Sequence, residues 1–233
     1  MSPRLPQQLE KMSAMKPESE LRGEGLLLRP LGAKDLPRIV EACSDPLFAR
    51  WLPWLRGGYT LERAEEFVTD FASSNWESGH PIWALCFEED PDSLIGVLDL
   101  RDRGQGEWEI GYWMRPEVRG RGLMITANHL ALNHVFSSLG ALRVMHYARV
   151  GNTPSRSVAR RLGFVPEGVR RKPVVRSGEG ATASSGNASA QSGNASAQSG
   201  NPSATVGGAS AGVEIQWQHS LLKSEWLRQS WAR

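Results

Sequence analysis

A chain of 233 residues with 40% hydrophobic composition has material for one core domain with additions. Its 27 lysines and arginines balance 25 acidic residues for a formal charge of +2, which argues against nucleic acid as the main partner. The sequence holds neither a run of eighteen apolar residues nor an apolar export segment, so a membrane span or secretion is not expected and the cytoplasm is the expected location.

Met1 to Arg22 is polar, proline-bearing and without an apolar period, and reads as a leader. Gly25 to Leu31 carries Leu26, Leu27 and Leu28 as a first strand, and Lys34 to Cys43 reads as a short helix. Ser44 to Tyr59 contains P-L-F-A-R-W-L-P-W-L-R-G-G-Y, an irregular stretch unusually rich in aromatic residues. Thr60 then caps a helix over Leu61 to Trp76, where Glu62 and Glu65 complement the N-terminal dipole and Leu61, Ala64, Phe67, Val68 and Phe71 share a face. Ile82 to Phe87 and Leu94 to Leu100 are antiparallel strand candidates. Cys43 and Cys86 lack ligand spacing and sit among apolar neighbours, so both are expected reduced and no metal centre is expected.

After a turn at Arg103 to Gly106, E-I-G-Y-W-M (Glu109 to Met114) fits a half-buried strand, which Arg115-Pro116 ends because proline has no N–H to give. Val118 to Gly122 follows as a basic loop whose two glycines let a ligand approach the backbone, with Arg119 and Arg121 adding charge. From Leu123 on, Leu130, Ala131, Val135, Phe136 and Leu139 recur at helical spacing. The first-turn amides of that helix point back at the loop, where the dipole favours an anion such as a diphosphate. The loop lacks the Gly-Lys-Ser/Thr of a P-loop, and Ile125 stands where a dinucleotide motif needs its third glycine.

Ala141 to Val150 is a further strand candidate. In G-N-T-P-S-R-S-V-A-R-R-L-G-F (Gly151 to Phe164), Thr153 is the expected N-cap, Pro154 the first helical residue and Gly163 the stop. Residues 177–212 turn to Gly, Ser, Ala, Asn and Gln, with S-G-N-A-S-A-Q starting at Ser185 and Ser192 and a degraded copy at Ser199; this tract reads as a flexible insertion. Val213, Ile215 and Trp217 alternate beyond it as a strand expected to pair with Phe164 to Arg170, so residues 23–176 and 213–233 are expected to form one domain.

I-G-Y-W-M-R-P-E-V-R-G-R-G and N-T-P-S…R-R-L-G-F, in this order and about thirty residues apart, resemble the two cofactor motifs of the GNAT superfamily of N-acetyltransferases, in its ribosomal-protein N-terminal acetyltransferase-like branch. The resemblance covers roughly Gly25 to Arg171 and a last strand near Val213 to Lys223. It implies an α/β fold with a mixed, mostly antiparallel sheet, helices on both faces and a splayed central strand pair. It also implies acyl transfer from acetyl-CoA or another acyl-CoA to a primary amine, either a protein N-terminus or a small molecule, by a monomer or homodimer.

By this resemblance Arg119, Gly120, Arg121, Gly122, Leu123 and Met124 hold the pyrophosphate, although Met124 stands where the family usually has Gly or Ala. A main-chain N–H on Met114 or its neighbour polarises the thioester, and Asn152 and Ser155 match the cofactor-arm asparagine and a donor to the sulfur. Many members use a tyrosine seven residues after that asparagine; here Ala159 removes it, leaving Ser155 or water as the acid. Glu109, on the same side of its strand as Gly111 and Trp113, is the preferred base over Glu107. Trp51, Trp54 and Tyr59 are expected to wall the acceptor pocket, the alternative being that the tryptophans cap the core. His129, His134 and His146 show no ligand spacing and read as structural. The competing reading is a catalytically silent acyl-CoA-binding module, motivated by Met124 and the missing tyrosine.

Overall fold

A computed structural model describes residues 20–52, 55, 58–175 and 211–229. Its single sheet runs β1 (Leu21–Gly23), β2 (Leu26–Pro30), β3 (Ile82–Phe87), β4 (Gly96–Asp102), β5 (Glu107–Met114), β6 (Arg143–Arg149), β8 (Ala211–Leu222) and β7 (Val165–Val175) in spatial order. All neighbours pair antiparallel except β5 and β6. The α/β architecture with a mixed, mostly antiparallel sheet is the one expected from the sequence.

The helices are α1 (Leu36–Cys43), α2 (Pro46–Trp51), α3 (Leu61–Glu66), α4 (Ser73–Glu77), α5 (Leu123–Ser137), α6 (Thr153–Arg161) and α7 (Lys223–Trp226). Two buried clusters lie on opposite faces of the sheet. One gathers Leu26, Leu98, Trp108, Ile110, Met114 and the α5 residues Ala127, Ala131, Val135 and Phe136. The other joins Ile39, Phe48, Tyr59, Ala64 and Phe67 to Ile82, Ala84 and Val97. At about 25 cal/mol per Å² of apolar surface, these two layers supply most of the stabilisation that opposes chain entropy.

Several boundaries differ from expectation for local reasons. Glu24 and Gly25, both at positive φ (52° and 76°), turn β1 back onto β2, so Leu21 and Arg22 belong to the sheet rather than to the leader. Of the remainder of the leader only Glu20 is among the described residues. The irregular stretch from Ser44 holds helix α2, started by Pro46 at its first position and by the Asp45 carboxylate, which accepts from Leu47 N–H at 2.9 Å. The helix expected over Leu61 to Trp76 widens into a π-helical segment, Phe67–Ala72. There Thr69 Oγ1 donates to the Glu65 carbonyl at 2.9 Å, competing with the ordinary ladder. The low-complexity tract lies outside the described residues apart from its last two positions, 211 and 212, which belong to β8; the strands flanking the tract, β7 and β8, pair with each other from Val165↔Ser220 to Val175↔Ala211.

Candidate active site

Two main-chain bonds fix which way the peptide groups of β5 point: Arg103 N–H donates to the Glu107 carbonyl at 2.8 Å and Arg115 N–H to the Ile95 carbonyl at 2.9 Å. Bonded pairs alternate along an antiparallel ladder, so the odd-numbered residues of β5 face β4. Even-numbered residues face β6, which pairs with β5 only from Glu107↔Arg143 to Ile110↔His146. Beyond Ile110 the strands separate, and the Tyr112 and Met114 peptide groups face a gap. This is the splay that the sequence motifs imply. The Met114 carbonyl is taken by Arg119, whose Nε–H donates to it at 2.8 Å; the Met114 N–H points into the gap.

The chain leaves this gap through a single turn of 3-10 helix, Pro116–Val118, and enters the glycine loop. Gly120 (φ 77°) and Gly122 (φ 82°) are both left-handed, a conformation that costs an L-residue roughly 1–2 kcal/mol. No heavy atom of the described residues lies within 4 Å of the position a Cβ would take on either, so the backbone is open to a ligand on that side. Gly122 caps α5, its carbonyl accepting from Ile125 N–H at 2.8 Å. Ahead of Ile125, the amides of Leu123 and Met124 have no carbonyl one turn back and lie at the positive end of a 15-residue helix. A diphosphate fits there.

Side chains around the loop depart from expectation in two ways. Arg119 is not splayed toward the loop: besides its bond to Met114 it stacks over the Phe48 ring, 5.0 Å from the centroid. Arg121 is exposed beside Phe87 and remains the arginine available to an anion. Met124, the residue that departs from the family pattern, turns inward into the core with Met114 and Val118. It does not occupy the loop, which removes one motive for reading the chain as a silent binding module.

Asn152, not Thr153, caps α6: its side-chain oxygen accepts from Ser155 N–H at 3.4 Å, the geometry of an Asx cap one residue earlier than expected. Ser155 thereby sits beside the splay with two partners that sequence reasoning missed. Its Oγ lies 3.0 Å from His146 Nε2 and 3.4 Å from the Tyr112 hydroxyl, while that hydroxyl lies 3.1 Å from His146 Nε2 and donates to the Ser155 carbonyl at 3.2 Å. Tyr112 and His146 stack with centroids 5.5 Å apart. Burial pushes the Tyr112 phenol above its ordinary value and pulls His146 down to about 3, with His219 nearby adding to the latter. Period-two alternation puts Tyr112 on the same face as Ile110, but no pattern in a single sequence announces that His146 will stand across from it.

Glu109 lies, as expected, on the face of β5 shared by Gly111 and Trp113, and it is 3% exposed. Its carboxylate is not free. Arg101 Nη2 donates to one oxygen at 2.9 Å, and Arg103 donates to the other through Nη2 at 2.7 Å and Nε at 3.0 Å. Asp99 flanks the group, 3.2 Å from Arg101 Nε; burial raises its carboxyl, an effect opposed by Arg101. Glu107, the weaker rival, is bound to Arg143. Trp51 lines an open cavity of 330 Å³ with Arg50, Arg149, Gly151, Val213 and Glu214, at the mouth of β6 and β8. Tyr59 does not: it is buried in the core against α3, its hydroxyl donating to the Arg63 carbonyl at 3.3 Å. Trp54 lies outside the described residues.

A family model described as an acetyltransferase (GNAT) domain matches residues 25–165. Bacillus subtilis (strain 168) YdaF, whose name assigns it provisionally as a ribosomal N-acetyltransferase, is 36% identical over 152 residues, covering 64% of this chain and 82% of that protein. A ribosomal-protein-serine acetyltransferase of Escherichia coli (strain K12) is 32% identical over 94 residues, 40% of this chain and 51% of that one. Among solved structures, RimL, a ribosomal L7/L12 alpha-N-protein acetyltransferase in complex with coenzyme A, superposes with a TM-score of 0.64 over 88% of this chain and 99% of that one. At 16% identity this last likeness is one of fold.

Proposed function

The chain belongs to the GNAT acetyltransferase family, and from that premise we propose that it moves an acetyl group from acetyl-CoA to a primary amine; its relatives' names, which refer to ribosomes and to a ribosomal-protein serine, favour a protein acceptor, and within that class we take its N-terminus. The observation that carries the proposal is the junction of an unpaired strand edge at Tyr112 and Met114 with an open glycine loop and the first-turn amides of α5.

Acetyl-CoA brings an activated acyl group on a thioester whose sulfur leaves readily, because a thiol is a comparatively strong acid, with an ordinary pKa of about 8.5. The Gly122, Leu123 and Met124 amides hold its diphosphate, with Arg121 adding charge. The Met114 N–H donates a hydrogen bond to the thioester carbonyl oxygen, which accepts it more strongly as charge builds there. The amine nitrogen then bonds to the carbonyl carbon and the carbon–sulfur bond breaks.

Glu109 takes the amine proton. For this it exchanges its contact with Arg103, whose side chain is 25% exposed, while Arg101, only 9% exposed, keeps hold of the other oxygen. Ser155 donates a hydrogen bond to the departing sulfur. An alcohol is a far weaker acid than a thiol, so Ser155 stabilises the thiolate without a net loss of its own proton. Trp51 and the adjoining cavity receive the acceptor.

The test is to incubate the full chain with acetyl-CoA and a panel of peptides with N-terminal serine, peptides with other N-termini, and small primary amines. Thiol release together with acetyl mass added at a peptide N-terminus is the expected result. Binding of acetyl-CoA without transfer to any member of the panel would favour the silent binding module instead.

A further inference from the structure

The cluster under the splay contains three proton-bearing side chains and fewer places for their protons than first appears. His146 is 3% exposed, its Nε2 faces both the Ser155 and Tyr112 oxygens, and its Nδ1 is buried without a hydrogen-bond partner among the described residues. Around it stand Tyr112, Phe164 and His219, with no carboxylate of the described residues within bonding distance. A neutral ring carries one proton. Placing it on Nδ1 would bury an N–H with nothing to receive it, whereas placing it on Nε2 leaves only an unused lone pair, and orphaned donors are the rarer of the two.

With the proton on Nε2, the ring donates to Ser155 Oγ at 3.0 Å, and the Tyr112 hydroxyl donates to the Ser155 carbonyl at 3.2 Å. The Ser155 proton is then left with the longest contact in the cluster, 3.4 Å to the Tyr112 oxygen. We propose that His146 is a positioning residue: its Nε2–H occupies a Ser155 lone pair and so keeps the Ser155 hydroxyl proton available to the sulfur leaving in the splay. As that proton is drawn toward the thiolate, electron density on Oγ rises and the His146 bond strengthens, an interaction greater in the transition state than in the resting enzyme. This rests on the reading of Ser155 as donor to the sulfur.

Two measurements test it. In ¹⁵N NMR of the histidine-labelled full chain, with His146 assigned through its contacts to the Tyr112 ring, the signature of a neutral ring protonated on Nε2 is expected from pH 8 to pH 5; an Nδ1-protonated ring or an imidazolium overturns the proposal. Kinetics with acetyl-CoA and the best acceptor of the panel provide the second. His146→Phe, which keeps a ring in place and removes the donor, is expected to lower kcat about three- to ten-fold, the worth of one hydrogen bond, with the KM for acetyl-CoA unchanged. In a Ser155→Ala background the same substitution is expected to change kcat no further. If Ser155→Ala itself leaves kcat unaltered, the role given to Ser155 fails. If Ser155→Ala lowers kcat but the His146 effect is absent or simply multiplies with it, only the positioning role fails. Where His146→Phe does not fold, the tautomer of the unmodified chain decides.

Discussion

Arg119 donates its Nε–H to the carbonyl of Met114 at 2.8 Å, which ties the start of the glycine loop to the end of the strand that borders the splay. The contact uses a guanidinium that the sequence motif suggests for phosphate binding to brace the backbone instead. Two arginines two residues apart therefore meet different surroundings, Arg121 lying exposed over the Phe87 ring.

Arg119→Ala is expected to cost about 1 kcal/mol of stability, the net worth of one hydrogen bond, and to raise the KM for acetyl-CoA by loosening the loop. Arg121→Ala should leave the unfolding midpoint unchanged and weaken acetyl-CoA binding most at low salt, since an exposed charge is screened as salt rises. Thermal melts and a salt series of binding measurements separate the two. Equal salt dependence in both variants would mean that Arg119 also acts as a phosphate contact.

Gly111 lies opposite Asp99 in the β4–β5 ladder. A Cβ there would come within 2.6 Å of Asp99 Oδ1 and 3.0 Å of Arg101 Nη2. Gly111→Ala is thus expected to displace the buried charge cluster and destabilise the fold by about 3 kcal/mol, the scale of breaking a buried ion pair. Denaturant unfolding measures it.

Replacing Glu109 with Gln removes the proposed proton acceptor and leaves Arg101 facing a neutral partner. The expected result is a fall in kcat/KM of about 100-fold or more. A variant that is less stable but keeps kcat/KM would assign Glu109 to holding arginines alone.

Much of this architecture is legible in the sequence because local chemistry and packing agree. The Glu109 to Met114 strand, the glycines at 120 and 122 and the apolar face of the following helix each call for the structure they adopt. What the sequence hides are relationships across strands. That Glu109 is gripped by Arg101 and Arg103 depends on the β4–β5 register, and that His146 meets Ser155 depends on where β5 and β6 part. The fate of Tyr59 turned on packing: an aromatic residue in an irregular stretch fits a pocket wall or a core equally well until a neighbouring helix covers it.

Acid sensitivity follows from the buried histidines. His146 is drawn down to about 3 by burial and then by His219, and His219 is also lowered, by burial and then by Arg156. A histidine with a depressed folded pKa binds its proton more readily in the unfolded chain, so its neutral, folded form is favoured above the unfolded pKa of about 6.5. Stability is expected to be highest above that pH and to fall as pH drops toward 3, by at most about 1.4 kcal/mol per pH unit for His146. Melting curves from pH 8 to pH 4 measure this, and His146→Gln should flatten the slope.

The central claim is that backbone amides at the head of α5 hold the diphosphate of coenzyme A, and calorimetry tests it most directly. With the full chain, coenzyme A should bind, pantetheine, which lacks the diphosphate, should bind far more weakly, and Gly122→Ala should weaken coenzyme A while leaving pantetheine unchanged. Absence of coenzyme A binding to the folded chain, or equal affinity for coenzyme A and pantetheine, would contradict the account.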